Sequence, residues 1–143
     1  MPVANATAAR DEIYGLLKAA VDASSYATVP VLYPDTVKDA PTNGTSYMKA
    51  FADLTNERVA SLGPISGRRY RVAGLVQVQI FTPYGDGQAT ADLISGVVKA
   101  AFRGVNSPSD TIAFRNARVV DVGRDGAYLQ TNVVAEFEYD EIG

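Results

Sequence analysis

Four carboxylates close the chain: Glu136, Glu138, Asp140 and Glu141. Residues two apart share one face of a β-strand, so Glu136 and Glu138 stand side by side. Paired carboxylates can hold a hard cation or divide general acid and base roles between them. The plainer reading is a charged, solvated strand face, because carboxylates without burial keep ordinary pKa values. A patch of opposite sign, Arg68-Arg69-x-Arg71, opens the segment 69–82. It suits contact with an acidic protein surface. A solvated strand end, or ion pairing across the sheet within the chain, reads equally simply. Arg68, Arg69 and Arg71 on one side and Glu136, Glu138 and Asp140 on the other are therefore candidates for a head-to-tail contact between copies of the chain. An edge strand blunted by its own acids is the rival reading for the acidic strip.

A third constellation is Phe81-Thr82-Pro83-Tyr84-Gly85-Asp86-Gly87-Gln88. Glycines between a strand and a helix can cradle phosphate on free backbone amides. Here the Gly-Lys-Ser/Thr ending is missing, Thr90 stands where a third glycine belongs, and Asp86 repels phosphate. The segment reads as a turn.

Catalysis is constrained more by what the chain lacks. It has no His and no Cys. No imidazole base, thiolate nucleophile or Ser-His-Asp triad can be built, and the usual zinc and copper ligands are missing. No catalytic residue, cofactor or metal is expected. The net charge is −3 and the pI near 4.8, a balance unsuited to gripping nucleic acid through phosphates. The N-terminus has neither a basic region nor an apolar core of a leader peptide, and no run of about 18 apolar residues occurs. An intracellular protein is the expectation.

The elements that would position these residues are legible in outline. At 143 residues the chain is expected to form one domain over 1–143, of a size that buries roughly 70% of its unfolded surface. Ile13, Leu16, Leu17, Ala20 and Val21 recur at helical spacing within 5–25. Val29–Tyr33 is a short β-prone run. The polar stretch 34–46, with Pro41 and Asn43-Gly44, reads as a long loop or hairpin tip. Tyr33, Asp35, Lys38, Asn43 and Tyr47 in and beside it are the partner-contact candidates, with core anchoring the alternative for Tyr33. Segments 46–56 and 57–62 read as two strands. Arg69–Thr82 is the clearest strand, with Tyr70, Val72, Gly74, Val76, Val78 and Ile80 on its core face. A helix over 86–103 follows, with Leu93, Ile94, Val97, Val98, Ala101 and Phe102 on one side and Gly104 as its stop. Strands 111–122 and 127–139 are joined by Gly123-Arg124-Asp125-Gly126. The last strand alternates an apolar and a polar face, which argues for an antiparallel sheet with both helices on one side. The fold class is α+β.

The segment from Arg69-Tyr70-Arg71 through Gly74, Val76-Gln77-Val78, Phe81-Thr82-Pro83-Tyr84-Gly85-Asp86-Gly87 to Phe102-Arg103-Gly104 resembles the tail terminator proteins of long-tailed bacteriophages. The element order fits that family along most of the chain, while the sharp motif covers 69–104. The resemblance implies a structural virion protein, a hexameric ring that caps the finished tail tube and stops its growth. It implies three partners: further copies of itself, the tail tube protein, and the connector or stopper of the head. DNA would only pass through the lumen. It also implies a location at the tail–neck junction, after assembly in the host cytoplasm. Another neck or tail-completion subunit is the alternative, and a cytosolic ligand-binding domain is the alternative of a different class.

Overall fold

The computed structural model describes residues 5–34, 45–60, 67–85, 88–103 and 111–142. Helix α1 spans Ala6–Asp22. Asn5 caps it, its side-chain oxygen accepting from the Ala8 amide at 2.8 Å, which satisfies one of the donors a helix start leaves unpaired. Its buried residues, Ala9, Ile13, Leu17 and Val21, fall four apart. That is a narrower stripe than the expected one, with Leu16 and Ala20 at its margin. Strand β1 (Val31–Leu32) follows, then β2 (Tyr47–Val59), β3 (Arg69–Pro83), helix α2 (Gln88–Phe102), β4 (Ala113–Asp125) and β5 (Tyr128–Ile142).

The five strands form one sheet in the order β1-β2-β3-β5-β4. The long strands are antiparallel as expected. β1 lies parallel to β2, Val31 opposite Met48 and Leu32 opposite Lys49, so the sheet is mixed. β2 is one strand where two were expected. It runs through a register shift between Leu54 and Asn56 instead of stopping, and such a bulge bends a strand without ending it. The final turn also differs. β4 continues to Asp125, and Gly123 serves a second irregularity of that strand with φ +113°, leaving Gly126 (φ +61°) at the reversal.

Both helices pack on one sheet face. Val72, Val76, Val78 and Ile80 of β3 and Val133, Ala135, Phe137 and Tyr139 of β5 meet Ile13 and Leu17 of α1 and Ile94, Val98 and Phe102 of α2. Each such large side chain contributes about 1.5–3 kcal/mol by leaving water. Gly74 lies opposite Phe137, and the Phe137 ring occupies the space a side chain would take: a β-carbon at 74 would lie 2.6 Å from Phe137 Cζ. On α2, Leu93 is 60% exposed. It was expected on the buried face, but the helix turns Ala91, Ile94, Ser95, Val98 and Phe102 inward and Leu93 away.

Candidate assembly surfaces

The helix-free face carries the charged candidates. Register alone brings them together: β3 and β5 are neighbours, with Arg71 opposite Asp140. Asp140 Oδ1 accepts from Arg71 Nε at 2.9 Å, and Oδ2 accepts from Arg71 Nη2 at 3.3 Å and Arg69 Nη1 at 3.4 Å. Asp140 is only 2% exposed. Hydrogen bonds from Arg71 hold its carboxyl below the ordinary value, against the opposing effect of burial, and the same contact raises Arg71. A buried carboxylate stays charged only when paired in this way.

The ion pairing thus runs across the sheet within one chain, the intramolecular alternative named for the arginine patch. Two expectations change with it. β5 is an interior strand, flanked by β3 and β4, so its acids do not blunt an edge. The acids also have partners within the chain: Glu138 pairs with Arg115 at 3.7 Å, and Glu136 with Arg118 at 3.8 Å while accepting from Asn116 Nδ2. Asn116 reaches Glu136 from a left-handed backbone (φ 56°) in the irregular stretch of β4, a conformation Asn tolerates better than most residues. Arg68, half-buried, begins the described part of the patch next to Arg69. Among the described residues no group of acids has the arrangement of a metal site.

The other candidates divide. Tyr47 is buried, its ring stacked on Phe81 with centroids 4.6 Å apart and edge-on to Tyr128 at 5.2 Å. With Leu32 these rings make a small second core, so Tyr47 anchors the sheet. Tyr33 is half-buried against Tyr14 (centroids 4.9 Å) and borders a surface groove of about 550 Å³, with Arg10, Asp11, Ala52 and Asp53. Burial pushes the Tyr33 phenol up from its ordinary value. Asp35, Lys38, Asn43, Asp86 and Gly104 lie outside the described residues.

Two residues not singled out from sequence shape the β2 flank of this groove. The Ala52 amide donates to Tyr14 Oη at 3.2 Å, and Arg10 Nε donates to the Ala52 carbonyl at 3.1 Å. Helix α1 thereby satisfies backbone groups on the side of β2 away from β3. Periodicity could not reveal this, since Arg10 reads as an ordinary solvent-facing residue.

A sheet with ion-paired arginines and carboxylates on its bare face offers polar surfaces for association. The sequence matches the phage tail terminator family model over residues 12–134. The chain belongs to the phage tail terminator family. As a member it is a structural protein of the phage tail, and its place is in the virion. No curated protein matches the sequence. Solved structures of the same fold include two that match nearly the whole chain. One superimposes with a TM-score of 0.68 at 20% identity, covering 94% of this chain and 95% of its own. The other, a chain from the virion of a native gene transfer agent particle, gives a TM-score of 0.54 at 23% identity, covering 96% and 99%. No helix among the described residues is long and apolar enough to cross a membrane.

Proposed function

We propose that this protein ends tail-tube growth: copies close into a ring, hexameric as the family resemblance implies, that caps the tube and presents the joining surface to the head. The family match over residues 12–134 carries this reading. The architecture supports it. A subunit with helices on one sheet face has a packed side and a bare side, which lets it meet different neighbours along different surfaces. The role contains no chemical step, and no catalytic, cofactor or metal residue is assigned.

The partners are other copies of the chain, the tail tube protein and the head–tail connector or stopper, met during assembly in the host cytoplasm. DNA passes through the lumen without specific binding, since an acidic chain with its described bare-face arginines largely paired releases few counterions. With Asp140 already neutralised by Arg69 and Arg71, we place Arg68, Arg69, Arg71, Glu136, Glu138 and Asp140 beside the subunit contact, as its polar border. Tyr33, with Asp35, Lys38 and Asn43 in the following segment, is assigned to partner contact; Tyr47 supports that region from within.

The test is tube assembly in vitro with and without the purified protein, read by electron microscopy, alongside light scattering on the protein itself. Capped tubes of arrested length and a ring-sized mass are expected. A stable monomer in the presence of tube protein, with tube length unchanged, would overturn the reading.

A further inference from the structure

Among the described residues the large apolar side chains left exposed are Leu54, Val59, Tyr84, Leu93, Val119, Val120, Val122 and Ile142. Five of these eight lie on the two outer long strands: Leu54 and Val59 on β2, and Val119, Val120 and Val122 on β4. Apolar side chains along an unpaired strand edge invite another chain to pair there.

The two edges differ in a way that fits one to the other. On the outer side of β2, β1 pairs only with Met48 and Lys49, and α1 satisfies Ala52 through Tyr14 and Arg10. From Asp53 to Val59 every residue of β2 is exposed, and no further strand flanks this stretch among the described residues. β4 closes the opposite side of the sheet. Its two irregularities leave Arg118–Asp121 in regular register between them, and Val119 and Val120 stand in that stretch. Charge distinguishes the edges too. β4 carries Arg115, Arg118 and Arg124 against Asp121 and Asp125, an excess of one positive charge, whereas the exposed half of β2 carries Asp53 and Glu57 against Arg58, an excess of one negative charge. Joining two β4 edges would oppose like charges; joining β4 to β2 opposes unlike ones.

We propose that the β4 edge of one copy seats on the lower half of β2 of the next, so that Val119, which lies on the helix face as Leu54 and Val59 do, covers those two residues and the sheets join head to tail. Two different edges on one subunit make a heterologous contact, the kind that closes into a ring. The open halves sit at different heights. Val119 lies level with Val133 of β5, whereas Leu54 lies level with Gly74 and Phe137. The join is therefore staggered by four β5 positions, about 14 Å at ~3.4 Å per residue, and a closing sheet takes up such stagger by tilting its strands. The inference rests on the ring reading above and adds which surfaces form the ring.

The experiment uses the full chain with three single substitutions, Leu54→Lys, Val119→Lys and, as control, Leu93→Lys on α2. Circular dichroism and thermal melting verify that each folds. Sedimentation is then run on each alone and on an equimolar mixture of the first two. Leu54→Lys and Val119→Lys should each weaken self-association at least tenfold, while Leu93→Lys assembles like the parent. The mixture should form one-to-one dimers and stop there, because each variant keeps one intact edge and the two intact edges are complementary. Normal assembly of Leu54→Lys, or a mixture that stays monomeric although both variants fold and the parent forms rings, overturns the edge assignment and leaves the ring reading standing. A parent that never associates, even with tube protein, overturns both.

Discussion

Replacing Asp140 with Asn removes the charge from the Arg69–Asp140–Arg71 cluster while keeping the side chain's shape. The amide can present its oxygen to Arg71 Nε, but its nitrogen then faces donors, Arg71 Nη2 and Arg69 Nη1. Removing one partner of a fully buried pair costs about 3–5 kcal/mol. Here the arginine side chains are 31% and 40% exposed and recover part of their hydration, so the expected loss is about 2 kcal/mol, close to one charge-assisted hydrogen bond. With an unfolding entropy of ~2.1 cal/mol/K per residue, that lowers the melting midpoint by roughly 7 °C for a chain of this length. The assay is thermal and urea unfolding of parent and Asp140→Asn between pH 7 and pH 2.5. The folded carboxyl titrates below its ordinary 3.8. Its contribution is therefore complete above the unfolded pKa and lost as pH falls through the folded one. The gap between the two proteins should be constant near neutrality and close in acid. A variant within about 0.5 kcal/mol of the parent at pH 7, the scale of an ordinary surface change, or a gap that persists undiminished in acid, would refute the argument.

Three further outcomes follow from other parts of the fold. Gly74→Ala should destabilise by about 2 kcal/mol in urea unfolding, since the new methyl collides with the Phe137 ring and the Asp53 carbonyl and overpacking outweighs the entropic gain of replacing glycine. Tyr14→Phe deprives the Ala52 amide of its acceptor and should cost about 1 kcal/mol, with faster amide exchange at Ala52 by NMR. Burial, with help from Glu141, pushes the Tyr139 phenol up to about 12. Its folded value exceeds the unfolded one, so its contribution is whole below pH 10 and declines as pH rises toward 12. Ultraviolet titration should show a late step near pH 12 in the parent, and a Tyr139→Phe variant should lose it.

What could be read from the sequence followed where periodicity was strong. β3 and β5 alternate apolar and polar faces over most of their length, and the core face of β3 came out residue by residue from Val72 to Ile80. β2 was split in two because Asp53-Leu-Thr-Asn-Glu-Arg-Val59 is exposed on both faces; a strand that buries neither face has no alternation to read. Leu93 was misplaced because a helix rotates as a unit, and α2 is oriented by Phe102 and Val98 rather than by every apolar residue it carries. The charged cluster was visible as two patches, but that they are one cluster depends on β3 lying beside β5. Strand order is a long-range property that no local spacing encodes. The Tyr14 and Arg10 contacts with Ala52 were hidden for the same reason.

The sheet order also has a kinetic side. β2 and β3, like β4 and β5, are consecutive strands, and their ladders can close early. The fifteen-position ladder between β3 and β5 joins segments separated by α2 and β4, and non-local ladders of this kind are slow to form. During that delay each half already displays its outer strand, β2 or β4, while the molecule's centre is still open. Refolding yield should therefore fall with protein concentration, because half-formed molecules can meet through their outer strands before their own halves have joined.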